Sequence, residues 1–171
     1  MKTSRIEFNE LSKIIDPVAG MRENWYLVTA EHDGTVNTLT AGWGALGNVW
    51  EKKIAIVYIR PQRHTKKYMD ASGRFTMTFF DGRQQEMGFL GSNSGADVPD
   101  KIEKSGLHLA HVDGQPTFEE GSVVLNCRIL YSQEQKAENF VDPKLAAACF
   151  PDKDYSVMYV AEIEAAYRIE E

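Results

Sequence analysis

Three Asp-Gly dipeptides, at positions 33–34, 81–82 and 113–114, interrupt segments rich in β-branched and aromatic residues. Asp33-Gly34 is a strong signal for a tight β-hairpin, and the other two pairs mark turns of the chain. Turn signals of this kind outnumber strand–helix–strand patterns in the chain. The sequence therefore predicts a mostly β fold with short helices, an antiparallel barrel formed by one domain over residues 1–171.

The hydrophobic patterns predict about seven strands and several short helices. The expected strands cover residues 25–31, 36–42, 54–59, 74–80, 107–112, 123–135 and 155–169, the last with a bulge near Ala165 and Ala166. The expected helices cover residues 9–15, 62–72, 84–90, 99–105 and 143–149. Asn9 is interpreted as the cap of the first helix, because a side-chain oxygen there can accept from the first free backbone amides.

Composition excludes several classes of function. The chain carries a net charge of −6, which argues against a general nucleic-acid or anionic-membrane surface. No apolar run approaches the length of about 18 residues that a membrane helix needs, and residues 1–15 lack the continuous apolar core of a signal peptide, so we expect a cytoplasmic protein. The two cysteines, Cys127 and Cys149, have no partner at metal-ligand spacing and are interpreted as buried, inert thiols.

The strongest candidate site begins where the apolar strand at 54–59 ends. Arg60, Arg63, His64 and Thr65 follow that strand and open a helix. Free backbone amides and the helix dipole favour an anion at such a position, and arginine adds charge-assisted hydrogen bonds suited to phosphate oxygens. The alternative is that these are ordinary surface residues at a helix start. His108 and His111 are not expected to share a metal, because strand spacing places them on opposite faces; no metal site is predicted.

In sequence order, the chain resembles the flavin reductase-like family, the FMN-binding split barrels, over about residues 25–169. The matching segments are Leu27-Val28-Thr29-Ala30, the turn Asp33-Gly34, the strand from Asn37 to Trp43, the helix start from Arg60 to Thr65, Gly73-Arg74-Phe75, Leu125-Asn126-Cys127-Arg128, and Met158-Tyr159-Val160-Ala161-Glu162-Ile163. The branch that it resembles most is that of the flavoredoxin-like proteins. The resemblance implies an antiparallel split β-barrel that binds FMN as a homodimer.

The chemistry of FMN suits the residues that this resemblance singles out. Its phosphate fits Arg60, Arg63, His64 and Thr65. Its ribityl chain and ring edge fit the strand end, where small residues let the backbone approach closely; the residues concerned are Thr38, Thr40, Ala41 and Gly42. Asn93 and Ser94 belong to a second polar loop that is expected to close over the phosphate or the ring. Trp43 and Trp50 are interpreted either as covers of the ring or as packing at a dimer interface.

One segment departs from the family pattern. Many reductases of the family carry Gly-Asp-His before the last strand, with a Gly five residues after the His, and that His is associated with the nicotinamide side of the reaction. Here Ser156 stands at the His position and Ala161 at the Gly position. The departure puts direct reduction by NAD(P)H in doubt and leaves FMN binding unaffected.

Three functional hypotheses follow, and no catalytic residue is assigned. In the first, the protein is a reductase that passes hydride from NAD(P)H through FMN to a flavin or another small acceptor. In the second, FMN stays bound and carries electrons between protein partners without direct use of NAD(P)H. In the third, the barrel has lost its cofactor and serves as an interaction module, against which the intact cluster from Arg60 to Thr65 argues. FAD remains an alternative to FMN.

Overall fold

The segments rich in β-branched and aromatic residues form strands in the computed structural model of the protein, which describes residues 1–170. Within that range the strands are β1 (Lys2–Arg5), β2 (Tyr26–His32), β3 (Thr35–Ala41), β4 (Gly44–Val49), β5 (Lys52–Ile59), β6 (Arg74–Phe79), β7 (Leu109–Val112), β8 (Gln115–Phe118), β9 (Val123–Glu134) and β10 (Val157–Glu170). The helices are α1 (Phe8–Ile14), α2 (Gly20–Asn24), α3 (Thr65–Ser72), α4 (Gln84–Ser92), α5 (Lys101–Ser105) and α6 (Pro143–Cys149), with a 3₁₀ turn at Ala137–Asn139.

Eight strands form one antiparallel sheet in the order β3-β2-β6-β9-β10-β5-β4, with β1 paired to the end of β10. The strands β3 and β4 lie at opposite ends of this path, yet only Gly42 and Trp43 separate them in the chain. Three Cα–Cα steps span at most about 11 Å, so the two sheet edges must come together there. The sheet is therefore rolled into a barrel that is not closed between its edges, the split antiparallel barrel that the sequence predicts.

The expected number of about seven strands was too low. Gly44–Val49 was missed because its two glycines weaken the strand signal, and Gln115–Phe118 because it is short and contains a proline. The polar strand Lys2–Arg5 gives no hydrophobic pattern at all. The expected bulge is confirmed, since the register of β10 against β9 shifts between Ile163 and Ala165. The interpretation of Asn9 as a cap was wrong, because the residue at the cap of α1 is Glu7.

Buried aromatic side chains tie the outer elements to the barrel. Tyr26 is fully buried, and its hydroxyl donates to the Trp43 carbonyl oxygen at 2.7 Å, which fixes the link between β3 and β4. The hydroxyl of the buried Tyr159 donates to Asp70 Oδ1 at 2.6 Å and anchors α3 against β10. A second apolar cluster, which includes Leu27, Met87 and Leu90, packs α4 on the outer face of β2. These contacts connect the strand ends at the split to the elements around the barrel.

The two cysteines differ in their burial. Cys127 is buried as expected, and burial raises the pKa of its thiol. Cys149 is only partly buried, because it lies at the end of the exposed helix α6, so the expectation of a buried thiol was wrong for this residue. None of the helices in residues 1–170 is long and apolar enough to cross a membrane.

Candidate functional site: a cleft at the split of the barrel

A cleft of about 320 Å³ opens where the end of β3 faces the end of β5. Its lining comes from α2 and the residue that follows it, from the end of β3 and its link to β4, from the end of β5 and the turn after it, and from the residue before β10. The residues are Arg22, Trp25, Leu39, Thr40, Ala41, Gly42, Trp43, Tyr58, Ile59, Arg60, Arg63 and Ser156. Residues far apart in sequence meet here because the two edges of the sheet meet here.

Small residues keep the floor of the cleft close to the backbone. A Cβ atom on Gly42 would lie 3.1 Å from Cδ1 of Trp25, so a larger residue would have to displace that indole. Trp25 itself adopts a positive φ of 58°, which is costly for a bulky residue and is typical of sites where the surroundings impose the conformation. The Thr40 hydroxyl donates to the Met87 carbonyl oxygen of α4 at 2.5 Å, which leaves its lone pairs to accept a bond.

Arg60 is held at one side of the cleft by the segment that precedes β10. Its guanidinium donates to Asp154 Oδ2 at 2.5 Å and to the Cys149 carbonyl oxygen at 2.9 Å, and it lies 5.3 Å from the centre of the Phe150 ring. Hydrogen bonds from Gln62 and then Arg60 hold the pKa of Asp154 below its usual range, so the carboxylate is charged near neutral pH. Much of the positive charge of Arg60 is therefore already compensated within the protein.

Arg63 lines the cleft, and the buried Lys101, which is not part of the cleft lining, lies close enough to Arg63 for their charges to repel; the two side chains are called the basic end. Arg63 Nη1 donates to the Gly91 carbonyl oxygen at 2.6 Å, and Lys101 Nζ donates to the carbonyl oxygens of Leu90 and Asn93 at 3.0 and 2.9 Å. Both cations thus bond the carbonyl groups at the C-terminal end of α4, where a helix favours positive charge. Within residues 1–170 neither forms an ion pair with a carboxylate.

Burial and repulsion between like charges destabilise the charged forms of these two side chains. Lys101 is only 3% exposed, and burial, with repulsion from Arg63 second, lowers its pKa to about 8. Burial and repulsion from Arg60 likewise lower the pKa of Arg63. Burial and the charges of Lys67 and Lys101 lower the pKa of His64, so its imidazole is neutral at pH 7. A buried cation without a counter-ion is destabilised, and an incoming anion relieves that cost.

The structure divides the eleven residues that the sequence predicts for this site. Six of them line the cleft: Thr40, Ala41, Gly42, Trp43, Arg60 and Arg63. Thr38 and Thr65 are buried and do not line the cleft; Thr38 Oγ1 contacts Thr29 Oγ1, and Thr65 Oγ1 donates to Asn37 Oδ1 at 2.9 Å.

His64, Asn93 and Ser94 lie outside the cleft lining. The Asn93 amide donates to the Phe89 carbonyl oxygen at 2.8 Å, and Ser94 Oγ accepts from the Ala96 amide at 3.2 Å. These two side chains therefore end α4 and shape the following turn. His64 precedes the first turn of α3 and shares the basic end with Lys101. A direct role of these residues in ligand binding stays a prediction.

Several residues of the site have no signal in the sequence. Lys101 lies in a short polar helix where a buried cation is not expected, and Trp25 and Tyr58 are ordinary strand-type residues. Ser156 is 1% exposed, lines the cleft, and its Oγ has no hydrogen-bond partner among residues 1–170. The sequence analysis singled out Ser156 as a departure from the family pattern, but it did not predict that Ser156 lines the cleft.

The chain is similar to known proteins over most of its length. The model of the flavin reductase like domain matches residues 18–170, nearly the whole chain. The chain belongs to the flavin reductase like domain family. An uncharacterized protein of Aeropyrum pernix is 30% identical over 129 residues, which are 74% of this chain and 47% of that protein, so the chain spans about half the length of the curated relative it matches.

Solved structures of this family share the fold. An FMN-binding domain of a flavin reductase-like enzyme from Shewanella baltica superposes with a TM-score of 0.72 at 18% identity, covering 98% of this chain and 78% of that one. Flavoredoxin from Methanosarcina acetivorans gives a TM-score of 0.67 at 20% identity, covering 86% and 69%. A protein with a split barrel domain from Shewanella frigidimarina gives 0.68 at 14% identity, covering 97% and 76%.

Proposed function

We propose that this flavin reductase-like protein binds FMN in the cleft at the split of the barrel. The observation that supports the proposal most is the basic end, where Arg63 in the cleft lining and the buried Lys101 beside it have no carboxylate partner among residues 1–170, although the chain carries a net charge of −6. A phosphate is the part of FMN that such a pair would hold. A cleft of about 320 Å³ lies at the lower end of the range of small-molecule sites, about 300–1,000 Å³.

The remaining lining has donors, acceptors and flat surfaces that suit the rest of FMN. Thr40 and the backbone of Ala41 and Gly42 would bond the ribityl chain and the polar ring edge, since a glycine lets the backbone come close. Trp25 and Tyr58 offer aromatic surface to the apolar part of the ring. When bound, the flavin supplies both one-electron and hydride chemistry, and the protein contributes binding, orientation and the local charge.

The reaction that we propose is the transfer of electrons through bound FMN to a flavin, a small molecule or a protein acceptor. The first candidate is a reductase that takes hydride from NAD(P)H. The second is an electron carrier that does not use NAD(P)H directly, and the buried Ser156 favours it. A short, uncharged hydroxyl in the wall does not offer a dinucleotide the cationic contact that an imidazole offers.

We also propose a homodimer as the working unit. Trp43 is 41% and Trp50 is 59% exposed, which is much aromatic surface for a monomer to leave in water. A twofold symmetric contact is the commonest arrangement for a homo-oligomer. Such a contact near Trp43 would cover the open side of the cleft.

The experiment that tests the cofactor is the visible spectrum of the purified protein, with the flavin released by acid and identified. A flavin spectrum with FMN as the released compound supports the proposal. The apoprotein, if isolated, is titrated with FMN and FAD in parallel. Failure to bind any flavin would contradict the proposal and favour a barrel that serves only as an interaction module.

A further inference from the structure

Arg22 lines the cleft, but the proposed FMN site does not use it. It belongs to α2, which its buried neighbour Met21 packs against the core of the barrel. The arginine side chains that form ion pairs or hydrogen bonds within residues 1–170 are those of Arg60, Arg63, Arg74, Arg83 and Arg128. The guanidinium of Arg22 is therefore a cation of the cleft that no residue of the described chain engages in either way.

Arg22 and Arg63 approach the floor of the cleft at different points. A backbone oxygen of α2 lies 3.6 Å from the position that a Cβ atom of Gly42 would take. The Arg63 side chain instead donates to the Gly91 carbonyl oxygen, and a Cβ atom on Gly91 would lie 3.0 Å from Cβ of Thr40. Two residues of extended chain span about 7 Å, so α2 meets the floor that far along from the basic end.

The charge of the cleft calls for a second anion. Its lining contains three arginines and no aspartate or glutamate. Asp154 pairs with Arg60, and a phosphate monoester, with a charge of about −1.5 to −2 at pH 7, would balance the two cations of the basic end. The charge of Arg22 is then left over. Its side chain is exposed, so an anion in solution reaches it without a conformational change.

We infer that Arg22 determines substrate specificity: the electron acceptor of the proposed reaction is a small molecule with one carboxylate or sulfonate group, and Arg22 binds that group. The inference rests on the proposed function, because the FMN phosphate is what leaves Arg22 as the uncompensated cation. A guanidinium offers two parallel N–H donors to two oxygens of such a group. The bond holds the acceptor at the Gly42 end of the floor, away from the phosphate at the basic end.

The test uses 2-naphthoate and 2-naphthamide, which share their rings and differ in the charge of one group. Each is titrated calorimetrically into the oxidised, FMN-saturated protein at about 0.15 M salt, where charges are screened beyond about 8 Å. We expect 2-naphthoate to bind about three- to tenfold more tightly, as a charge-assisted bond at an exposed arginine gives. Arg22→Gln removes this preference. The absence of a preference in the wild-type protein, including binding of neither compound, would overturn the inference.

Two further variants separate a direct contact from a general effect of charge. Arg5→Gln removes the same charge from an exposed residue of β1 that does not line the cleft, and it should leave the preference unchanged. Arg22→Lys keeps the charge and loses the planar fork, so it should retain part of the preference. Equal losses in Arg5→Gln and Arg22→Gln would show an effect of net charge alone and would overturn the inference.

The same samples distinguish this inference from the proposed function, because FMN affinity is measured on them first. If FMN binds and the preference for 2-naphthoate is absent, the acceptor site is refuted and the FMN cleft stands. If FMN does not bind while 2-naphthoate binds through Arg22, the anion site stands and the proposed function falls.

Two outcomes would assign Arg22 to another ligand. A loss of FMN affinity in Arg22→Gln as large as the loss of 2-naphthoate affinity would assign the guanidinium to the flavin. A loss of affinity for NADP⁺ with binding of 2-naphthoate unchanged would assign it to a dinucleotide. Either result would overturn the assignment of Arg22 to an anionic acceptor.

Discussion

Arg60 and Asp154 form an ion pair at the mouth of the cleft, although 94 residues separate them in the chain. The pair ties the turn after β5 to the segment before β10, and the ring of Phe150 covers the guanidinium. Because Asp154 compensates much of the charge of Arg60, we propose that a phosphate binds mainly at Arg63 and Lys101.

The loop after α4 depends on Gly95. A Cβ atom there would lie 1.9 Å from Nδ2 of Asn37, whose Oδ1 accepts the Thr65 hydroxyl. We expect Gly95→Ala to lower the free energy of unfolding by about 1–3 kcal/mol, as overpacking of a buried site does. Gly47→Ala is the control, because a Cβ atom at Gly47 meets nothing within 4 Å. Urea unfolding of both variants makes the comparison, and equal stability of the two would contradict the packing described for this loop.

FMN affinity should depend on pH through Lys101, whose pKa burial lowers to about 8. As pH rises through about 8, Lys101 loses its charge, and the affinity for the FMN phosphate falls. Riboflavin binding should not show this fall. Flavin titrations between pH 6.5 and 9.5 check the dependence, with Lys101→Met as the reference that lacks the group. A wild-type profile that parallels that of Lys101→Met would exclude Lys101 as the source.

The same pKa shift predicts a change in stability of the opposite sign. Between about 8 and the ordinary lysine value of 10.5, the unfolded chain keeps a proton that the folded protein has lost. The free energy of unfolding therefore rises with pH in this window through Lys101. Denaturant unfolding of the apoprotein at pH 7 and pH 9.5 measures the effect as the difference between the wild type and Lys101→Met. No change in that difference with pH would show that Lys101 is charged in the fold throughout.

Ser156 in the cleft wall predicts slow reduction of the bound flavin by NADH or NADPH. Hydride transfer needs the nicotinamide to be held in line, and misplacement by about 1 Å costs about 100-fold in rate. Anaerobic stopped-flow absorbance measures the bleaching of the flavin. Ser156→His should accelerate it, whereas rapid bleaching of the wild type, on the order of 10 per second, would support the reductase over the carrier.

The homodimer predicts a particle mass of twice the 19.3 kDa of the chain. Light scattering of the flavin-loaded protein at micromolar concentration measures it. A mass of one chain under these conditions would rule the dimer out. Trp50→Ser then shows whether the exposed indole, which packs against Tyr131 at 6.0 Å, belongs to the contact.

The local features of the sequence predict much of the fold. Asp33-Gly34 and Asp113-Gly114 both adopt the positive φ values that a tight hairpin requires, and both turns join paired strands, although the return strand Gln115–Phe118 of the second hairpin was not predicted. The sequence also predicted the helix that follows Arg63 and the strand that ends near Ala41. β4 was not predicted, because it contains glycines and has little β-propensity of its own; its pairing with β5 stabilises it.

The sequence predicts the residues that line the cleft better than it predicts the pairing and burial of the basic side chains. The residues of the strand end were found because small residues follow a strand there. The state of Arg60 depends on Asp154, and the burial of Lys101 depends on the packing of α5 against the end of α4. Such contacts between distant segments are not encoded in any local pattern. Consequently the sequence analysis did not single out Lys101, and it could not distinguish the paired Arg60 from Arg63, which has no carboxylate partner among residues 1–170.

The ratio of the dissociation constants for FMN and riboflavin tests the central claim most directly. Flavin fluorescence titration of the apoprotein measures both. Charge-assisted hydrogen bonds contribute about 1.5–3 kcal/mol each, so we expect FMN to bind at least tenfold more tightly than riboflavin. Lys101→Met should remove most of this preference, and Lys104→Met, at an exposed neighbour paired with Asp100, should keep it. Equal affinity of the wild-type protein for the two flavins would contradict a phosphate site at Arg63 and Lys101.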